Sequence, residues 1–502
     1  MVKKSVYPER SQEVKQFFSK GVAPEKFMVV PIDFAKTEHT AQLCLGTGEY
    51  LLKKPMKIYN DIKGADYLIR RLQGICRKYY IAKSNVIIGG EDPPNYTMNF
   101  VHYIREIHHY PFVRINAFEA KKYRTNTRAS SDNLDLNGIF QGLLNHRARD
   151  IEEFDELYAN LKNASRSRRK FVKEETAAKN RIHRCVEILF PDFLNKSKSG
   201  IIPFTNASLE LMEENFSVLK IKRMRTDTLV KILRRNHTAK PEEVAGKLKN
   251  LTDQALAPPP NLISYNSKSL STKVGFLRSI RDSIVIEENE MARCLVQTPS
   301  FFLTSFPGIG VVLAGGIAAE YGNSSRWLPA DHMASYGGIV PRQKQSGGSE
   351  KLPIIGHLPK DCNHILKDWL LQAAYHVGTT PHPMWRLFTK DGTHRLIEHY
   401  QRIENKDGKS RLSTAKLLIR IGRRMVLNER VYMPSEWVKG PAPSEEELFE
   451  YLDCVTKSLD EKWKKYDLSG IEDEKNYLLK WKEYCNDLKK SSSLHSGVSA
   501  SQ

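Results

Sequence analysis

From residue 27 onward, short apolar runs alternate with helical spacing. Phe27-Met28-Val29-Val30-Pro31-Ile32-Asp33 is apolar until its closing acid, and the alternating stretches His39 to Leu45 and Tyr50 to Ile58 follow it. Together they predict a three-strand meander. Helical spacing from Asp61 to Tyr79 leads into Asn85-Val86-Ile87-Ile88-Gly89-Gly90-Glu91, a second buried-strand pattern that ends in an acid. A helix from Tyr96 to His108, a strand from Pro111 to Asn116, a polar loop and a helix opening at Ser131-Asp132-Asn133-Leu134-Asp135-Leu136 complete the series.

Meander, helix, strand, helix, strand, helix is the order of an RNase H-like α/β fold. From Arg147 to about Cys294 the chain becomes charged and helical: apolar residues recur at helical spacing from Arg149 to Leu189, interrupted by the basic Ser165-Arg166-Ser167-Arg168-Arg169-Lys170, and Leu209 to Arg235 carries Lys220, Lys222, Arg223, Arg225, Lys231, Arg234 and Arg235. A charge run of this kind is usually a solvated helix face, but two such clusters on adjacent helices nominate a nucleic-acid track. His237 to Ser267 reads as a loop because Pro258-Pro259-Pro260 cannot continue a helix. A helix from Lys273 to Val296 follows, then helices at Ile365 to His376, Met384 to Glu404 and Leu412 to Glu429, and two more between Pro443 and Leu488. The fold class expected is therefore α/β plus all-α.

Two features carry candidate chemistry. Asp33 and Glu91 close different strands, and Asp132 and Asp135 stand three apart on one helix face. Carboxylates gathered at one sheet end raise each other's pKa unless a hard cation such as Mg²⁺ neutralises them. Each has a plainer alternative as a turn former or helix cap, and Asp92 and Glu38 compete with Glu91 and Asp33. The second feature is Phe306 to Gly348, where a Pro307-Gly308-Ile309-Gly310 turn precedes a small-residue helix from Val311 to Tyr321. The turn has the shape of a helix-hairpin-helix, whose backbone N–H groups suit a phosphate, with Gly308 and Gly310 as contacts. Beyond it, Met333-Ala334-Ser335-Tyr336-Gly337-Gly338 leads through Pro341-Arg342 and Lys344 to Ser346-Gly347-Gly348, a hydroxyl in a basic, flexible loop. Ser335 and Ser349 are rival hydroxyls.

Charge narrows the partners. Among 502 residues, 78 Lys and Arg oppose 58 Asp and Glu, a net charge of +20, which favours a polyanion through counterion release. An anionic membrane would answer the charge equally well, but mean hydropathy is −0.48 and no apolar run reaches 18 residues. Seven scattered cysteines without CxxC spacing argue against a zinc site or disulfide framework, and the N-terminus shows no secretory signal. The expectation is a cytosolic protein with access to DNA.

PGIG, AxxxAE, ASYGGIVPR and SGG, in this order, resemble the C-terminal domain of the insertion-sequence transposases that pair an N-terminal DEDD, RuvC-like domain with a serine domain and are guided by a bridge RNA. The resemblance implies Asp33, Glu91, Asp132 and Asp135 as the Mg²⁺-binding catalytic acids and Ser346 as the nucleophile. It also implies donor and target DNA and a structured guide RNA as partners, and a homo-oligomer, dimer or tetramer; beside Ser346, the charges of Arg342 and Lys344 suit phosphate oxygens and Gly347 lets a DNA backbone approach. The resemblance departs at SSDNLDL, where relatives carry Lys-Thr before the first Asp, and at Leu358 to Asn363, which is less basic than in relatives. The segments expected are a leader (1–25), the DEDD domain (26–150), a helical or coiled-coil connector with a loop insertion (151–296), the serine domain (297–434), a helical extension (435–490) and a disordered tail (491–502). A metal-dependent RuvC-like nuclease that needs only the acids, or an inactive nucleic-acid scaffold, are the alternatives.

Overall fold

The computed structural model describes residues 12–91, 95–124, 131–150, 156–213, 215–341, 343–344, 354–360, 362–381, 392–403, 408–434 and 440–498. The chain divides into two compact units, Met1–Phe154 and Asp155–Gln502. The first is mixed α/β and the second mostly helical.

The first unit is organised around β1 (Met28–Asp33), the interior strand of its sheet. On one side β1 pairs antiparallel with β2 (Glu38–Ala41) and β3 (Cys44–Leu45), and β4 (Met56–Tyr59) pairs with β2. On the other side β5 (Val86–Glu91) runs parallel to β1, β6 (Phe112–Ile115) runs parallel to β5, and β7 (Arg149–Asp150) closes antiparallel. Successive β1 side chains enter different cores. Met28, Val30 and Ile32 pack with Leu68 and Leu72 of α2 (Ile62–Tyr79) and Phe100 and Ile104 of α3 (Met98–Glu106). Val29, Ile87 and Val113 pack with Phe17 of the first helix (Gln12–Ser19, α1) and with Ile139, Phe140 and Leu143 of α5 (Asp132–Leu144); α4 (Ala117–Lys122) lies between β6 and α5 in the chain. Because both faces are covered, β1 reads as an unbroken apolar run rather than an alternation.

The expected meander is present with two changes: of the stretch Tyr50 to Ile58 only the end is strand, as β4, and the stretch His39 to Leu45 is two strands. Between them the buried Gln42 side chain takes over backbone partners, its Nε2 donating to Leu52 O (3.1 Å) and its Oε1 accepting from Leu43 N (3.0 Å). The elements α4 and β7 were not expected, since six and two residues are too few to display a period.

The second unit is built on α6 (Glu156–Leu189) and the 36-residue helix Pro260–Leu295. Arg168 meets Glu288 at 2.7 Å while Arg281 meets Glu175 at 3.0 Å, so the two run antiparallel. Between them in the chain come α7 (Lys196–Ser199), α8 (Asn206–Glu213), α9 (Val218–Arg223), α10 (Thr226–Arg235) and α11 (Pro241–Gln254), which makes Pro260–Leu295 α12. The stretch 237–267, expected as a loop insertion, is therefore largely helical. Pro241 and Pro260 each open a helix, where a missing N–H costs nothing and the fixed φ is already helical. The far end of the pair holds its own core, in which Ile182, Val186, Phe190, Phe193, Phe216 and Leu233 are buried with Val274 and Leu277 of α12.

The near end packs against α13 (Val311–Tyr321), α14 (Ala330–Tyr336), α15 (His364–Thr379), α16 (Arg395–Arg402) and α17 (Lys409–Leu427). Of the helix expected over 384–404, residues 384–391 and 404 lie outside the described residues. Two further helices follow, α18 (Glu445–Trp463) and α19 (Tyr477–Val498). The last runs on through residues 491–498, which composition assigned to a disordered tail; once a helix is formed, each added residue costs little. Among the described residues no helix is long and apolar enough to cross a membrane.

Trp463 and Trp481 are buried, and Trp463 Nε1 donates to Thr304 Oγ1 at 3.3 Å. Beside it, Lys462 Nζ donates to Thr304 O (2.5 Å) and Phe306 O (2.9 Å), just ahead of the Pro307-Gly308 turn. Burial pushes the Lys462 ammonium down to about 7. An unfolded lysine keeps its proton to about pH 10, so from about pH 7 upward the unfolded chain holds a proton that the native chain lacks, and this group's contribution to stability rises with pH. The melting temperature of wild type relative to Lys462→Met should therefore climb between about pH 6.5 and about pH 9. A difference that stays flat or falls across that window would contradict the assignment.

Candidate functional site

The four expected acids all belong to the first unit. Asp33 ends β1 and Glu91 ends β5, neighbouring parallel strands paired up to Ile32 and Gly90, so both carboxylates leave the same end of the sheet. Ser131 caps α5, its Oγ accepting from Leu134 N (3.4 Å), which sets Asp132 and Asp135 in the first turn of a helix whose Ile139 and Leu143 lie on that sheet. Asp33 feels both of them. Burial is the main cause that raises its carboxyl above the ordinary aspartate range, followed by repulsion from Asp135 and Asp132, with Arg124 and Lys57 acting in the opposite direction.

Those two cations are what the sequence reading missed. Lys57 of β4 donates to Asp132 Oδ2 (2.8 Å) and to Thr40 Oγ1 (2.9 Å), and Thr40, opposite Asp33 in the ladder, donates to the same carboxylate at 3.3 Å. The hydrogen bond from Lys57 holds Asp132 below the usual range. Both partners are more than half exposed, so the pair contributes under about 1 kcal/mol. Arg124 is different: its side chain is 13% exposed, and its guanidinium lies 2.5 Å from Asp135 and 4.0 Å from Glu91. Its stem crosses α5 at Gly138, where a Cβ would come within 2.4 Å of Ala120 O and 2.9 Å of Arg124 Cγ. Period and charge pattern give no sign of either cation, because Lys57 and Arg124 reach the acids only through the sheet order and this helix crossing.

All four candidate ligands are oxygen donors, the chemistry a hard divalent cation takes, and Asp135 Oδ1 is engaged by Arg124 Nη2 at 2.5 Å. The donor set fits such an ion. Among the described residues, however, no three His, Cys, Asp or Glu side chains already stand around one common point.

In the second unit the Pro307-Gly308 turn is flanked by a 3-10 helix, Pro299–Ser305, and by α13. Gly308 has φ 74°, and a Cβ there would lie 2.9 Å from His376 O. Close packing on α15 thus accounts for this glycine. Gly310 caps α13 with open space at its Cβ position. Lys344 lies in a two-residue strand, Gln343–Lys344, paired with Ile354–Ile355. Ser346, Arg342 and Gly347 lie outside the described residues. Ser335, the rival hydroxyl, is exposed on α14.

The basic run of the connector is partly neutralised: Arg234 pairs with Glu242, Arg235 with Glu210 and Lys222 with Asp253. Arg223, Arg225 and Lys231 are exposed and outside these pairs.

Residues 30–191 match a family described as transposase, the DEDD type of IS110. Residues 301–389 match the Transposase IS116/IS110/IS902 family. Two separate stretches of the chain thus match IS110-type transposase families. The chain is also 24% identical over 233 residues to a Streptomyces coelicolor protein named as an insertion element IS110 uncharacterized 43.6 kDa protein, a match covering 46% of this chain and 56% of that one. The chain thus spans about half the length of that curated relative.

The first IS110-type match includes all four acids with Lys57 and Arg124, and the second includes the turn, α13, α14 and Ser346. In the second unit a buried ion pair ties α13 to α6. Glu320 is fully buried and accepts from Arg166 Nε (2.8 Å) and Nη2 (3.0 Å), and from Asn363 Nδ2 (2.8 Å), the residue that caps α15. Burial pushes the Glu320 carboxyl up, but these hydrogen bonds outweigh it and hold it below the usual range. Arg166→Ala should destabilise the second unit by about 3 kcal/mol, the low end for breaking a buried pair, since Arg166 is partly open to solvent. Urea unfolding at neutral pH checks this, and a loss under about 1 kcal/mol would show that the pair contributes no more than a surface bridge.

Proposed function

We propose that the chain is a DNA transposase of the insertion-sequence type, cutting and rejoining DNA with Ser346 as nucleophile and with Asp33, Glu91, Asp132 and Asp135 as the site for Mg²⁺. The observation that carries this reading is the convergence of two strand-end acids with an Asp-x-x-Asp helix start. The strand order β4-β2-β1-β5-β6, with β1, β5 and β6 parallel, supports an RNase H-like domain over residues 26–150. The helical connector, serine domain and extension would follow at 151–296, 297–434 and 435–490.

When bound, the ion supplies charge stabilisation to the oxygens of a phosphodiester. Ser346 gives up its proton and its Oγ forms a bond to phosphorus, while the bond from phosphorus to a deoxyribose oxygen breaks and that oxygen leaves as a hydroxyl. Arg342 and Lys344 bind phosphate oxygens, and Gly347 lets the backbone approach; Gly308 and Gly310 offer a further phosphate contact. Site choice is assigned to a structured guide RNA, because charge suits shape and backbone recognition and base pairing supplies sequence. A dimer or tetramer is the assembly expected for such an enzyme.

The nuclease reading keeps one argument, since Asp33 feels the charges of Asp132 and Asp135 and such a nuclease would need only the acids. A nicked-DNA trapping assay separates the two. The transposase reading expects a protein–DNA adduct that Ser346→Ala removes and that Asp33→Ala or EDTA reduces at least about 100-fold. Cleavage without an adduct, unchanged in Ser346→Ala, would establish the nuclease, and full activity in EDTA would exclude both.

A further inference from the structure

We propose that Arg124 is the resident counter-ion of the acid cluster, a positioning residue whose guanidinium a divalent cation must displace to bind between Glu91 and Asp135. This rests on the reading of the four acids as a metal site. Its own support is geometric. Arg124 stands between carboxylates from two different elements, 2.5 Å from Asp135 and 4.0 Å from Glu91, in the space an ion shared by those carboxylates would need.

Two further observations suit a cation that is held but replaceable. Arg124 Nε is buried without a hydrogen-bond partner, so the guanidinium is not fully satisfied where it lies. Asp135 Oδ1 also lacks a hydrogen bond despite its ionic contact with Arg124. Of the two cations Arg124 is the stronger competitor, because it is 13% exposed while Lys57 is 53% exposed and screened by solvent.

The test is titration of the full-length chain with Mn²⁺, without DNA, followed by electron paramagnetic resonance. Arg124→Met keeps the apolar stem over Gly138 and removes the charge, Arg124→Gln removes it with a polar end, and Arg124→Lys retains it. Removing a buried unit charge beside a divalent ion should tighten Mn²⁺ binding about tenfold in Arg124→Met and Arg124→Gln. Arg124→Lys should stay near wild type, and Lys57→Met should fall between. Either uncharged variant suffices if the other does not fold, as judged by melting without metal. If wild type binds Mn²⁺ but the uncharged variants bind it equally or more weakly, or Arg124→Lys binds as tightly as they do, the role of Arg124 is overturned and the metal site stands. If wild type binds no Mn²⁺ at these acids, the metal reading falls and takes this inference with it.

Discussion

Carboxylates cannot be crowded at one end of a sheet without cations among them. Two like charges about 4 Å apart repel by about 4 kcal/mol at the effective dielectric of a protein surface, a large fraction of a domain's stability. The first unit meets this by bringing a lysine and an arginine from elements that flank the acids. Lys57 arrives because β4 pairs with β2, and Arg124 because the chain after α4 crosses α5 at a glycine. The sheet order and the helix crossing are therefore part of the site's electrostatics as well as of its packing.

Much of this was legible in the sequence. The apolar runs that end in Asp33 and Glu91 are strands, and Ser131 caps the helix that carries Asp132 and Asp135. What could not be read was anything set by tertiary contact. Arg124 lies in a stretch that reads as polar loop, and Lys57 looks like any exposed strand residue. The triple proline misled in the other direction: Pro260 opens α12 instead of breaking it, since a proline forbidden in a helix interior is favoured at its first position.

The second unit follows a different logic, in which two long antiparallel helices each enter two cores and ion pairs fix their register. Two of its buried polar groups tie together elements far apart in sequence, Glu320 joining α6, α13 and α15 and Lys462 holding the segment ahead of the turn. Gly308, read from sequence as a phosphate contact, is also required by its left-handed backbone and by the nearness of α15. A packing need and a binding role leave the same residue in a sequence, and only the contacts tell them apart.

The central proposal is that Asp33, Glu91, Asp132 and Asp135 hold a divalent ion. Fe²⁺ substituted for Mg²⁺ generates hydroxyl radicals where it binds, and these cut the nearby backbone. With ascorbate and peroxide on the DNA-free chain, the account predicts cuts clustered around residues 33, 91 and 132–135 that Mg²⁺ suppresses. Cuts scattered along the chain, confined to the second unit, or indifferent to Mg²⁺ would contradict it.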